Sequence, residues 1–219
     1  MYAAGGTVTF CGEVAGDFYA AGGTVTINGD VADDVALAAG SGRIGGDIGG
    51  DVRVAGGEVT IDGAIDGDVL VAGGIVRVLS TARIGGDLLF FGGEVTIEGD
   101  VRGSLSGRGE AVRLNGPVRG DVAVRASRGV SLGEQAHIDG TLSYESGAEL
   151  SRAPGAVVRG EVTRQEAPAV GGSFSAHLLW LLLFLFTTAA AYLLLPRSQL
   201  LLLARRTAGA FGWNMLIGF

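Results

Sequence analysis

Five aspartates recur at a spacing that suggests a shared chemical role. Intervals of 17 or 19 residues separate Asp17, Asp34, Asp51, Asp68 and Asp87. If the chain winds with that period, the carboxylates stack in a column that attracts a hard cation such as Ca²⁺. In the alternative interpretation, each carboxylate accepts a backbone N–H at a corner of the chain, as Asp does in Asx turns. Ser104 and Thr141 continue the column, which favours the corner interpretation and predicts no bound metal or cofactor. A melting temperature that depends on Ca²⁺ would support the cation column instead.

The chain offers few groups for catalysis. Cys11 is its one cysteine, which excludes an internal disulfide framework and a cysteine-based zinc site. His137 and His177 have no cysteine, serine-containing elbow or second histidine at a useful spacing. We therefore predict that the protein is not an enzyme.

A repeat of about 17 residues organises the first three quarters of the sequence. Paired glycines mark it at Gly5-Gly6, Gly22-Gly23, Gly56-Gly57, Gly73-Gly74 and Gly92-Gly93. Within one unit the apolar positions are Val25, Ile27, Val31, Val35 and Leu37. Pairs two residues apart indicate strands, and the steps of four between pairs cross corners that contain glycine. The pattern predicts that these apolar side chains form a continuous core.

The period predicts the fold class. We expect an all-β domain: a right-handed parallel β-helix of about nine short coils, each with three short strand sides, over residues 1–164. A left-handed hexapeptide coil is disfavoured because a repeat of 17 is not a multiple of six. A β-propeller is disfavoured because its blades are about forty residues long and carry aromatic markers. Carbohydrate-active enzymes are also often right-handed β-helices, but these coils are too short and regular to build a cleft.

The C-terminal part of the sequence has a different character. Residues 176–195 contain no formally charged residue, and twenty helical residues at about 1.5 Å each cross one hydrocarbon thickness. We predict a C-terminal transmembrane α-helix over 176–195, joined to the β-helix by a linker over 165–175. Residues 196–219 are predicted to form a basic amphipathic segment and the start of a second span, truncated where this sequence ends.

The charge distribution bears on location and partners. Residues 1–166 hold 13 Arg and 23 carboxylates, a net charge of −10, and the remainder holds three Arg and no acid. This balance argues against a nucleic-acid partner. Arg197, Arg205 and Arg206 follow the predicted span and Arg164 precedes it, so the positive-inside rule places the β-helix outside the cytoplasm. The alternative is a β-helix on the cytoplasmic face of the membrane.

One segment carries a resemblance to a known family. Val59–Gly74, with the sequence VTIDGAIDGDVLVAGG, resembles the repeat of bactofilins, a group of polymer-forming cytoskeletal proteins, and the likeness extends over Gly5–Val162. The resemblance implies a right-handed β-helix that assembles end to end without nucleotide and scaffolds envelope proteins. Bactofilins are typically cytoplasmic, often with an N-terminal targeting segment, whereas this chain, with its C-terminal span, resembles a membrane-anchored branch.

These observations predict a membrane-anchored, non-enzymatic scaffold at the cell envelope. The end coils of a β-helix are open sheet edges, so we expect copies to pair head to head and tail to tail into a homopolymer. The expected partners are further copies, the lipid bilayer and cell-envelope proteins or polymers. The alternative is an extracytoplasmic binding or adhesin-like module that contacts envelope polymers; a carbohydrate-active enzyme is the third candidate.

Overall fold

The structure of the protein is a computed structural model that describes residues 1–165. This part of the chain is all-β: it contains 19 strands and no helix. The strands are β1 Tyr2–Phe10, β2 Glu13–Val14, β3 Phe18–Ile27, β4 Asp30–Val31, β5 Val35–Ile44, β6 Val52–Ile61, β7 Ala64–Ile65, β8 Val69–Val78, β9 Arg83–Ile84, β10 Leu88–Ile97, β11 Asp100–Val101, β12 Leu105–Leu114, β13 Pro117–Val118, β14 Val122–Leu132, β15 His137–Ile138, β16 Leu142–Ser146, β17 Ser151–Arg152, β18 Val157–Val158 and β19 Val162–Gln165.

Each turn combines one long strand with one short segment. In β6 the buried residues are Val52 and Val54, then Val59 and Ile61. A straight strand would keep its alternation of inward and outward side chains. The step of five between Val54 and Val59 therefore marks a bend at the central Ala-Gly-Gly. The three predicted strand sides are thus two halves of one bent strand and a short strand, because the backbone pairing continues through the glycine corner.

The turns stack into a parallel β-solenoid. The long strands form one sheet in the order β1-β3-β5-β6-β8-β10-β12-β14-β16-β19, with β17 also paired to β14. The short strands form a second sheet from β18 to β7, and single bridges at Ile48 join it to the β2-β4 pair. All pairs are parallel and, apart from one bulge between β12 and β14, in register, for example Val52 with Val69 and Ile61 with Val78. The solenoid has about ten turns instead of the predicted nine, because β1 already pairs from Tyr2 and the count in the sequence began at Val8.

The core is the column of inward side chains, as the apolar spacing predicts. Isoleucine, valine, leucine and phenylalanine stack on their own kind or on close relatives from turn to turn, and most are removed from solvent. The buried set contains all the predicted core positions of the repeat unit: Val25, Ile27, Val31, Val35 and Leu37. Their equivalents in later turns are also buried: Val59, Ile61, Ile65, Val69 and Val71.

Extra residues are accommodated at the corners and at one bulge. The chain adds two residues between Val78 and Ile84, where the N–H of Ala82 bonds to the carbonyl of Leu79. Between β12 and β14 the register shifts, so that one residue of β12, Glu110, faces two residues of β14. Such insertions leave the inward column intact, since Val112 still pairs with Val130 and Leu114 with Leu132.

Several predictions concern the C-terminal part of the chain. Of the linker predicted over 165–175 the structure describes only Gln165, which ends β19. The transmembrane helix predicted over 176–195 and the segment over 196–219 lie outside the described residues. Within residues 1–165 no helix has the length and hydrophobicity needed to cross a membrane.

At one core position a glycine replaces the valine of the adjacent turns, and a neighbouring leucine fills the space. Gly42 occupies the column in which Val25 and Val59 lie in the adjacent turns, and Leu37 extends over it: a Cβ at Gly42 would lie 2.9 Å from Leu37 Cδ2. We expect Leu37→Ala to lower the free energy of unfolding by about 2–5 kcal/mol, because Gly42 cannot fill the cavity.

The matched control is the double variant Leu37→Ala with Gly42→Val. In this variant the valine side chain fills part of the space that the leucine side chain leaves. Chemical denaturation of the full chain in detergent micelles should show a higher midpoint for the double variant than for Leu37→Ala. A double variant with the same or a lower midpoint would show that Leu37 does not fill the space over Gly42.

Candidate functional site

The predicted acidic column exists, and its carboxylates accept backbone N–H groups. In each case the donor is the residue at the same position of the following turn. The N–H to Oδ1 distances are Asp34 to Asp17 3.3 Å, Asp51 to Asp34 2.9 Å, Asp68 to Asp51 2.9 Å, Asp87 to Asp68 2.7 Å, Ser104 to Asp87 2.7 Å and Thr141 to Asp121 2.7 Å.

This geometry gives the column a structural role. The corner interpretation correctly predicts a backbone donor, but the donor comes from the next turn and not from the same corner as in an Asx turn. Each aspartate therefore extends the hydrogen bonding between turns across a corner. Within residues 1–165 no group of three or more His, Cys, Asp or Glu side chains is placed to hold a metal ion. The cation column over Asp17, Asp34, Asp51, Asp68 and Asp87 stays an untested prediction.

The same contact explains why glycine precedes most of these aspartates. A Cβ at Gly67 would overlap Asp51 Oδ1 of the previous turn and lie 2.7 Å from the carbonyl oxygen of Gly50. Any side chain there would push the two turns apart. Asp33 stands where the other turns have glycine, and it precedes Asp34, whose N–H makes the longest contact of the column, 3.3 Å.

Substitutions of two equivalent glycines, Gly67 and Gly16, test this packing. We expect Gly67→Ala to destabilise the solenoid by about 1–3 kcal/mol, since the added methyl overpacks a site closed by backbone. Gly16→Ala is the matched control, because Gly16 precedes Asp17 in the first turn and a Cβ there meets only Asp33 Oδ2 at 3.9 Å. The midpoint of thermal unfolding, followed by circular dichroism, should fall for Gly67→Ala alone; equal effects of the two changes would contradict the steric explanation.

The backbone donors also stabilise the charged form of the carboxylates. The N–H of Asp51, and then the Arg53 guanidinium, lower the pKa of Asp34. The N–H and the hydroxyl of Thr141 lower the pKa of Asp121. A carboxylate whose pKa is lower in the folded state stabilises the fold above its ordinary pKa, and this contribution is lost as pH falls through the folded pKa.

Stability should therefore depend on pH in the acidic range. We expect the melting temperature to fall as the pH is lowered from about 4 through the lowered pKa values of these two carboxylates. In Asp34→Asn with Asp121→Asn the amide oxygens still accept the N–H groups without titrating, so the melting temperature should vary less with pH. A double variant with an unchanged pH profile would assign the acid sensitivity to other groups.

Arginines offset the acidic surface in specific pairs. The Arg53 guanidinium lies 3.1 Å from Asp51 and 3.3 Å from Asp34, so it bridges two members of the column. The other arginine–carboxylate pairs are Arg43–Asp62, Arg77–Glu58, Arg119–Asp100, Arg125–Glu145, Arg128–Glu110 and Arg159–Asp139. Most are exposed, and such pairs contribute at most about 1 kcal/mol each. Most of them connect one turn to the next.

The residues considered for catalysis lie apart. Cys11 is exposed in the first turn. His137 lies in the eighth short segment, where its Nε2 is 3.2 Å from Asp139 Oδ1, and that oxygen is also 2.8 Å from Arg159. His137 and Asp139 are half-buried and Arg159 is exposed, and the three side chains lie together on the outer side of the short-strand sheet. His177 lies outside the described residues.

The first and last turns that the structure describes expose part of the core column. Val8, Phe10 and Val14 of the first turn are only half-buried. Their partners one turn further in are Val25, Ile27 and Val31, and these are at most 1 % exposed. Within the described residues the outer edge of β1 pairs with no strand, and neither does the outer edge of β19. Val162 of β19 occupies an inward position and is 41 % exposed.

A second surface was missed by the sequence analysis. The outward positions at the start of the first six long strands are almost entirely apolar, and together we call them the alanine face. One column of this face contains Tyr2, Tyr19, Ala36, Arg53, Leu70 and Leu89. The other column contains Ala4, Ala21, Ala38, Ala55, Ala72 and Phe91. The repeated alanine two residues after a variable position was the available signal.

The alanine face has a defined shape. Small side chains form a floor between the stacked rings of Tyr2 and Tyr19 at one end and Leu70 and Phe91 at the other. The hollow above this floor measures about 770 Å³. The face ends at the seventh turn, where polar Ser106 and Arg108 succeed Leu89 and Phe91 in the two columns.

Comparison with known proteins does not assign the chain to a family. No protein-family model matches it, and no curated protein or solved structure matches it either. The resemblance to bactofilins therefore stays a prediction from the repeat.

Proposed function

We propose that this protein is a non-enzymatic β-solenoid scaffold that self-associates end to end at a membrane, as bactofilin-like polymers do. The observation that carries the proposal is the state of the end coils. The inward column of the first turn, Val8, Phe10 and Val14, is half-buried, whereas the same column one turn inward is closed to solvent. A further copy stacked on this turn would bury these side chains and pair the open edge of β1.

The energetics of the joint follow from the interior of the solenoid. Inside it, each long strand is hydrogen-bonded on both sides and each inward Val or Ile is buried between its neighbours. An end turn lacks both on one side. Open edges of this kind favour pairing with another chain, and buried apolar area supplies about 25 cal/mol per Å². End-to-end association therefore uses the same interactions that stabilise the fold.

The membrane part of the proposal comes from the sequence. The anchor is the uncharged segment 176–195, and the three arginines after it place the solenoid on the extracytoplasmic side. Right-handed winding of the coils belongs to the same proposal. The partners are further copies, the bilayer and envelope proteins or polymers.

One substitution separates end-to-end assembly from solubility effects. Val8→Lys places a charge on the inward column of the first turn, where the side chain can reach solvent in the free protein but is buried in a joint. Burying an unpaired charge costs at least a few kcal/mol, so we expect the association constant to fall by roughly a hundredfold or more. Electron microscopy and sedimentation of the full chain in detergent measure this.

Thr9→Lys is the matched control, since it adds the same charge on the neighbouring outward position of β1. We expect filaments that lengthen with concentration for the parent and for Thr9→Lys, and none for Val8→Lys. A parent that stays a monomeric rod at all concentrations would overturn the scaffold proposal and favour the second candidate, an extracytoplasmic module that binds envelope polymers.

A further inference from the structure

The alanine face concentrates exposed apolar side chains on one side of the solenoid. Within residues 1–165, eight large apolar side chains are exposed, and five of them lie on this face: Tyr2, Tyr19, Leu70, Leu89 and Phe91. Single exposed apolar residues are ordinary, but a contiguous patch marks a contact surface. The alanine face is therefore a candidate contact surface.

The size of the face argues against a second copy as that occupant. Six turns at about 4.8 Å and four residues of strand at about 3.3 Å define an area of roughly 350–400 Å². A stable protein–protein interface buries about 800 Å² on each partner. A face-to-face pair of solenoids would bury about half of that, and Arg53 interrupts the apolar surface.

The path of the chain indicates what lies next to the face. The last described strand, β19, pairs with β16 on the same side of the solenoid, with Thr163 beside Ser143 and Gln165 beside Glu145. Gln165 thus lies in the same column as Phe91, four strands further along the sheet. Ten residues separate Gln165 from the uncharged segment 176–195, and ten residues reach at most about 35 Å. The last described residue therefore lies on the side of the solenoid that bears the alanine face, and the proposed anchor begins within that reach of it.

We propose that the alanine face is the surface through which the solenoid lies against the lipid bilayer, parallel to the membrane plane. This inference rests on the proposed membrane anchor. Alanine, leucine and phenylalanine contact the acyl boundary, into which the apolar side of an interfacial element sinks about 5–10 Å. Tyrosine is the residue that prefers this depth, because its ring is apolar and its hydroxyl polar.

The polar groups around the face fit that orientation. The hydroxyl of Tyr19 donates to Asp17 Oδ2 at 3.2 Å, so the ring covers the face while its polar end points to the acidic column. The Arg53 guanidinium is likewise drawn to Asp34 and Asp51. Because the acidic column borders the face, anionic headgroups would be repelled, and the surface suits a zwitterionic bilayer.

The test uses the full chain in nanodiscs of phosphatidylcholine, with Cys11 replaced by serine so that one introduced cysteine carries a fluorophore. Ala38→Cys places the label at the centre of the face, and Ala32→Cys is the matched control, an exposed alanine of the neighbouring short segment. With brominated acyl chains, we expect the emission at position 38 to be quenched and the emission at position 32 to be unchanged. In Leu70→Ser with Phe91→Ser, circular dichroism should retain the β signal while the quenching at position 38 is lost.

The possible outcomes are distinguishable. If the chain enters nanodiscs but the label at position 38 is not quenched, the bilayer contact is wrong and the proposed anchor survives. Self-quenching at position 38 that grows with protein concentration would instead assign the face to a second copy. If the chain does not co-elute with nanodiscs at all, both the anchor and the bilayer contact are overturned, whereas end-to-end assembly is still tested separately by Val8→Lys.

Discussion

The structure depends on one constraint: each turn must stack in register on the turn before it. Parallel pairing uses the backbone groups of the long strands on both sides, and the same register places apolar side chains above apolar side chains. A shift by one residue would turn the inward column outward. Extra residues are therefore tolerated only where they leave the column unchanged, as after Val78 and at the bulge opposite Glu110.

The corners extend this constraint through side chains. Asp51 accepts the N–H of Asp68, and Gly67 keeps the space that this contact needs. The two residues of each Gly-Asp dipeptide thus contact different turns. The aspartate accepts an N–H from the following turn, and the glycine leaves room for the aspartate of the preceding turn. Because each turn contacts mainly its two neighbours, the molecule behaves as a quasi-one-dimensional repeat. The first and last described turns then each have a neighbouring turn on one side only, and this is why the proposed self-association uses them.

The outer surface is freer than the core and varies along the solenoid. Outward side chains do not enter the core, so their type can change from turn to turn. The two columns of the alanine face are mostly apolar in the first six turns and mostly polar afterwards. A solenoid can in this way keep one repeated interior and present different surfaces at different turns. The inward column of the end turn and the outward alanine face point in opposite directions from the same strands, so the two proposals concern different side chains.

Much of this protein was predictable from local spacing. The pairs Val25/Ile27 and Val35/Leu37 predict buried strands, and the period of 17 predicts that they stack, because the requirement to bury them repeats at every turn. The partners of the outward and corner residues depended on the tertiary structure. The donor to Asp51 is 17 residues away in sequence but one strand spacing away in space, and Tyr19 and Phe91 each look like ordinary solvent-facing residues until stacking brings their turns together. Alternation within a strand determines what is inside; only the winding of the chain decides which outside residues become neighbours.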